Sequence, residues 1–220
     1  MLVSDIISPI RSLVGDVDTT RWSDTTLISL VDEAQKMITR SSKILKTSTS
    51  IVVHSDQSTY SIVDNAYIIT RALYNGTYLT LKTHEELDAM SNTWENDKGE
   101  PKFLVYDKLA PGLVKISPVP EFEEPIVFDL STANILEVYC IKTSDTINAL
   151  TDELEIPEIY VPLFKYYVTA QLFRFDLDTQ NRAFGNEQLI LFGQELQALK
   201  IEVSKNFARG EYTANYRKGI

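Results

Sequence analysis

The chain is poor in the residue types that run chemistry. It has one cysteine, Cys140, and two histidines, His54 and His84. A lone cysteine makes no intrachain disulfide, and its neighbours Val138, Tyr139 and Ile141 mark it as a small buried apolar residue of a protein folded in a reducing cytoplasm. His84-Glu85-Glu86-Leu87-Asp88 opens like a zinc-protease helix, but Asp88 stands where the second histidine is required. His54 and His84 therefore read as surface or loop residues. The eight glycines are scattered, so no Gly-rich phosphate loop exists, and no serine or cysteine sits in a nucleophile-elbow context. Asp16, Asp18, Thr20 and Asp24 have the spacing of calcium-loop ligands, but Arg21 replaces the required glycine and Leu27 the bidentate glutamate. Asp176 and Asp178 form a carboxylate pair at a helix end, which alone points to a solvated loop rather than acid–base work. Asn75-Gly76-Thr77 matches a glycosylation sequon and reads only as a turn. No catalytic residue, metal site or cofactor is expected.

Long apolar runs are also missing. None reaches the ~18 residues of a membrane span. Arg11 comes too late for the basic leader of a signal peptide, so the chain reads as soluble. Positive charge is scarce: 21 basic residues face 31 acidic ones, for a net charge of -10. Such a chain repels a phosphate backbone, which disfavours reading or coating DNA. It remains compatible with a channel through which a duplex slides.

What is present is a 220-residue globular composition, 44% hydrophobic and 24% charged, enough for one domain or one body with an inserted lobe. Residues 4–14 read as a helix with Ile6, Ile7, Ile10, Leu13 and Val14 on one side. In the next helix Leu27, Leu30, Val31, Ala34 and Ile38 repeat at helical spacing. Ser23 is placed to cap it, Asp24 favours the positive end of its dipole, and Trp22 and Leu27 have the spacing of a hydrophobic staple. It is predicted to fade near Arg40-Ser41.

From about residue 43 to 143 the period changes to two. Strands are predicted at 51–53, around Tyr60 and Ile62, and at Ile68-Ile69. Asn75-Gly76 is a hairpin turn, because both residues accept the positive φ of a type I′ turn. A short helix at 85–90 and an exposed loop at 95–101 follow. Phe103 and Val105 pair with Val114 and Ile116 across Pro111-Gly112, which fits a type II turn. Pro118 and Pro120 then deny ladder hydrogen bonds. Ile126, Phe128 and Leu130 alternate again, and 136–142 forms a last strand.

Two helices close the pattern. The first runs from near Val161, after Pro157, to about Asp176, and is apolar on most sides, with Phe164, Tyr167 and Phe173 among its large residues. The second runs from about Arg182 to Lys205. Its Leu189, Phe192, Leu196, Leu199 and Val203 alternate steps of three and four, a coiled-coil-like seam suited to packing against the helix before it. The short loop Asp178-Thr179-Gln180 makes the two an αα-hairpin. Phe164, Tyr167, Phe173, Leu189, Phe192, Leu196 and Leu199 are the candidate packing residues of a helical bundle. Residues 206–220 lack a period and place Phe207, Tyr212 and Tyr216 among Arg209, Arg217 and Lys218. Those are residue types that anchor interfaces, so the segment reads as an extended docking tail, with a frayed terminus as the alternative.

The order of these parts resembles the head-to-tail adaptor proteins of tailed bacteriophages, closest to the podovirus-type tail-tubular adaptors. The resemblance is carried by Arg21-Trp22-Ser23-Asp24 before a helix with Asp32-Glu33-Ala34-Gln35, by Trp94, and by Gly99-Glu100-Pro101-Lys102-Phe103. Pro111-Gly112-Leu113-Val114-Lys115-Ile116-Ser117-Pro118-Val119-Pro120, Ile156-Pro157 to Tyr167, Asp176 and the helix to Leu199 complete it. It covers nearly the whole chain. It implies a dodecameric ring under the portal vertex, a C-terminal segment (Phe207, Arg209, Tyr212, Tyr216, Arg217, Lys218) docked on the portal protein, and tail or nozzle proteins as further partners. DNA would pass through the lumen without sequence-specific binding.

The expected fold is α+β: a helical bundle from residues 1–42 and 145–205 with an inserted antiparallel β-rich lobe at 43–144. The expected function is structural, in the virion neck at the head–tail junction, assembled in the host cytoplasm. The alternatives are another neck or tail component such as a stopper or tail-tube ring, a virion hydrolase, or a cellular adaptor that binds peptides at a sheet edge.

Overall fold

The computed structural model describes residues 1–107, 112–123, 133–174 and 178–216, with 206–216 as helical backbone alone. In chain order its elements are α1 (Val3–Val14), α2 (Asp24–Ser42), β1 (Lys46–Val52), β2 (Thr59–Ser61), β3 (Ala66–Tyr74) and β4 (Thr77–Lys82). Then come α3 (His84–Asp88), β5 (Phe103–Tyr106), β6 (Leu113–Ser117), β7 (Ile135–Lys142), a 3₁₀ turn at Glu158–Tyr160, α4 (Val161–Arg174) and α5 (Thr179–Tyr216). The fold is mixed α+β. It divides into two compact units, Met1–Leu45 with Ser144–Ile220, and Lys46–Thr143.

In the helical unit, periodicity sets which faces are buried. Val3, Ile6, Ile7, Ile10 and Val14 of α1 are all buried, a run of helical spacings. Leu13, expected on that face, lies off it and is exposed, because Val14 occupies the position eleven residues after Val3. The Ser23 side chain accepts from the Thr26 amide at 3.2 Å and caps α2. Leu27, Val31, Ala34 and Ile38 are buried, and Trp22 packs against the same core, edge-on to Phe173 at 6.4 Å. Helix α2 ends at Ser42, where Lys43 takes a left-handed conformation with φ 60°. Polar ties hold the segment before α4 onto α2. The Ile147 amide donates to Asp32 and the Glu155 amide to the buried Gln35, each at 3.0 Å.

The second unit is a seven-stranded sheet in the order β1-β7-β3-β4-β5-β6-β2. Leu136, Val138 and Cys140 alternate along β7 into its core, beside Ala72 and Tyr74 of β3, with Leu104, Val114 and Ile116 in the same cluster. Burial pushes the Cys140 thiol up. The β3–β4 hairpin turns at Asn75 and Gly76, both with positive φ (48° and 78°).

Three expectations are corrected here. The lobe is not wholly antiparallel, because β4 pairs with β5 in parallel. A parallel pair needs a long crossover, and residues 83–102, including α3, supply it. The first strand reaches back to Lys46, since its Ser/Thr run pairs residue for residue with β7 from Lys46↔Ile141 to Val52↔Ile135. Helix α3 starts at His84, one residue after Thr83, which forms a capping box with Glu86. The β5–β6 pairing is antiparallel as read, while Pro111 of its turn, the strand at Ile126–Leu130 and Asp176 lie outside the described residues.

Candidate functional site

Helices α4 and α5 form the αα-hairpin, and α5 begins at Thr179, so most of the expected loop is already helical. The two helices approach closely at Gly185. A Cβ there would lie 3.0 Å from Cβ of Phe173 and 3.3 Å from the Ala170 carbonyl oxygen. From Gly185 the buried residues of α5 are Gln188, Phe192, Leu196, Leu199 and Val203. That is the expected seam from Phe192 to Val203, and it differs only at its first position. Leu189 is 43% exposed, and Gln188 takes the inward place because it stands a full four-residue step before Phe192.

Of the candidate packing residues, Phe164, Tyr167, Phe173, Phe192, Leu196 and Leu199 are all buried within the chain's own helical unit. Phe192 packs on Tyr167 with ring centroids 5.2 Å apart. Burial, joined by a hydrogen bond to Glu33, drives the Tyr167 phenol far above its ordinary value. These residues hold the hairpin together, and Leu189 alone of the set looks outward.

Residues not singled out in the sequence, Phe184 at 37% among them, carry further exposed apolar surface on the hairpin and just before it. Ile190 is 61% and Ile201 45% exposed, and Ile159, in the 3₁₀ turn before α4, is 77% exposed. The available signal was positional: Ile190 and Ile201 stand eleven residues apart, on one face of α5 and away from the Phe192 seam.

In the C-terminal segment the expected extended conformation gives way to helix. Helix α5 continues through Tyr216, so Phe207, Arg209, Tyr212 and Tyr216 lie on helical backbone. Between Asn206 and Tyr216 there is no proline and a single glycine, Gly210, and Ala208, Glu211 and Ala214 sustain the helix. Arg217 and Lys218 lie outside the described residues.

The acidic residues near the start of α2 have a structural use. Asp16 pairs with the buried Arg11, which also reaches Asp24 at 2.6 Å. Asp16 accepts from the backbone amides of Arg21 at 2.8 Å and Trp22 at 3.3 Å. Burial works to raise the Asp16 carboxyl, but the amides of Arg21 and Trp22, the Arg11 guanidinium and the Thr20 amide outweigh it and hold the group below its ordinary range. With these oxygens engaged, the loop is a clamp on α1 rather than a cation site. Among the described residues no group of three or more potential ligands converges. His54 is exposed, and His84 lies edge-on to Trp94 at 5.8 Å in the sheet unit. No helix among the described residues is long and apolar enough to cross a membrane.

A family model described as SU10 adaptor protein matches residues 1–215. No curated protein matches the chain.

Proposed function

The chain belongs to the SU10 adaptor family of phage structural proteins, and from that premise we propose that it serves as a head-to-tail adaptor. In this reading it forms a homo-oligomeric ring, of twelve copies as the resemblance implies, that docks on the portal protein and offers a platform for tail or nozzle proteins. DNA passes through the lumen without sequence-specific binding, consistent with the net charge of -10. The ring sits in the virion neck after assembly in the host cytoplasm. The work is mechanical: buried area and repeated contacts, each weak, multiplied around a closed ring.

The observation that carries the reading is the family match over residues 1–215. The outward Leu189 supports it, because an apolar side chain left uncovered beside the seam of α5 gives a neighbouring subunit surface to bury. The C-terminal segment with Phe207, Arg209, Tyr212, Tyr216, Arg217 and Lys218 is the proposed portal-docking element, its aromatic rings filling portal pockets and its basic groups pairing with portal acids.

Native mass spectrometry with and without purified portal tests the ring, and truncation after Lys205 tests the docking element. The cut leaves the seam through Val203 in place. The expected result is a ring on the portal for the full chain and loss of portal binding for the truncated one. Undiminished binding by the truncated chain refutes the docking role, and a chain that stays monomeric with portal present refutes the ring.

A further inference from the structure

Between Arg182 and Glu202 the charges on α5 are sorted by side. At about 100° per residue, the seam through Phe192 and Leu196 defines the inward direction. On one flank stand Arg182 and Lys200, with Leu189 and Gly193 beside them. On the opposite flank stand Glu187, Glu195 and Glu202, with Leu191 and Ala198. Between the flanks, facing away from α4, runs a band without charge that contains Ala183, Ile190, Gln194, Gln197 and Ile201. The sorting ends at Glu202: by helical position Lys205 and Arg209 fall on the acidic flank and Glu211 on the basic one. An ordinary solvent-facing helix mixes its charges in pairs three or four residues apart. Here Arg182–Glu187 and Glu195–Lys200 are five apart and cannot pair along the helix. Among the described residues none of these five makes an ion pair, and the one contact of the set is the Tyr160 hydroxyl donating to Glu202 at 3.2 Å.

The geometry points to α5 as a stave between second copies of this chain, the basic flank of one copy lying against the acidic flank of the next. This rests on the ring reading above and assigns the surface that closes it. Copies related by a rotation axis along the helices lie parallel and level. At 1.5 Å per residue, Lys200 then stands about 3 Å below Glu202 and about 7.5 Å above Glu195 of its neighbour, and Arg182 stands about 7.5 Å below Glu187. Lysine and arginine side chains span such offsets. Leu189 meets Leu191 across the contact. Gly193, where an added Cβ would meet nothing within 4 Å, lets the helices come close on the basic flank. A two-fold contact between like flanks sets bases against bases and acids against acids, so the pattern favours the head-to-tail, ring-closing arrangement. Each exposed pair is weak, and repetition around the ring gives the set its weight.

The test is flank reversal, with assembly read by native mass spectrometry and analytical ultracentrifugation in the presence of portal. R182E/K200E makes both flanks acidic, and E187K/E195K/E202K makes both basic. Each variant alone is expected to need at least a tenfold higher concentration to assemble than the wild-type chain. A one-to-one mixture regains assembly in rings of alternating copies with even numbers only. Because the altered residues lie on the surface, circular dichroism matching wild type shows that folding is intact, and recovery in the mixture shows it independently. Assembly of both single-flank variants at the wild-type concentration overturns the flank contact while leaving the ring reading intact. Failure of the mixture to assemble also overturns it. A wild-type chain that forms no ring with portal present removes the ring reading, and this contact with it.

Discussion

Replacing Gly185 with alanine sets two opposed effects against each other, and the geometry decides between them. In a helix interior alanine is favoured over glycine by about 1 kcal/mol, because glycine loses more backbone freedom on folding. At Gly185 the added Cβ meets Cβ of Phe173 at 3.0 Å, the Ala170 carbonyl oxygen at 3.3 Å and the Phe173 carbonyl carbon at 3.5 Å. All three atoms are backbone or directly attached to it, so no rotamer change relieves the contact. Helices α4 and α5 must separate by a few tenths of an ångström, which loosens the Phe173 and Phe192 packing alongside. Overpacking of this kind costs about 1–3 kcal/mol, so the sum is a net destabilisation of up to about 2 kcal/mol. Gly193, on the same helix, has nothing within 4 Å of its Cβ direction, and alanine there is expected to stabilise by up to about 1 kcal/mol. Urea denaturation followed by far-ultraviolet circular dichroism, at concentrations where the chain is monomeric, reads both. The two midpoints should move in opposite directions. A G185A variant stabilised as much as G193A refutes the close α4–α5 crossing.

Two further outcomes follow from the same packing and charges. Phe192→Ala removes a buried ring packed 5.2 Å from Tyr167 and should cost about 3–5 kcal/mol, whereas Leu189→Ala, at an exposed position, should stay within about 0.5 kcal/mol for the monomer; equal losses in denaturant midpoint would contradict the seam phase. Asp16 is held below its ordinary value of 3.8, so its stabilising effect is fully present above that pH and is lost as pH falls through the lower folded-state value. The stability gap between wild type and Asp16→Asn, followed by denaturation from neutral pH downward, should therefore be constant above about pH 5 and shrink below about pH 4. A gap that ignores pH would show that the carboxylate charge is not what matters there.

Helix α2 was legible in its main features, though Leu30 of its expected face is only half-buried while Gln35 and Thr39 are buried. Its Ser23 cap, the buried run from Leu27 to Ile38 and its stop, expected near Arg40-Ser41 and found at Ser42, are all local, set by φ preference, hydrogen-bond orphans and a 3.6-residue period. The Asn75-Gly76 turn was legible for the same reason, since positive φ is a property of the residues themselves. The seam of α5 was legible from Phe192 to Val203 and missed only at its first position. Leu189, Ile190, Leu191 and Phe192 are consecutive apolar residues that point around more than half the helix, so the sequence offers several faces. Gly185 against Phe173 selects one of them, and that choice leaves Leu189, Ile190 and Ile201 outside. The candidate surface is thus the part of α5 that α4 declined to cover. The Arg11–Asp16–Asp24 clamp is not legible locally, because its cation comes from the preceding helix.

The sequence alone determined most of the helices, the Ser23 cap and the period-two middle, because each depends on residues within a few positions of one another. The tertiary structure alone decided the parallel β4–β5 pair, the pairing of the Ser/Thr strand β1 with β7, and the choice of Gln188 over Leu189 at the start of the α5 seam. Those features depend on which distant segment lies alongside. A strand's neighbour is chosen by the length of the crossover that returns the chain, and a helix apolar on several sides buries whichever side its partner can approach most closely.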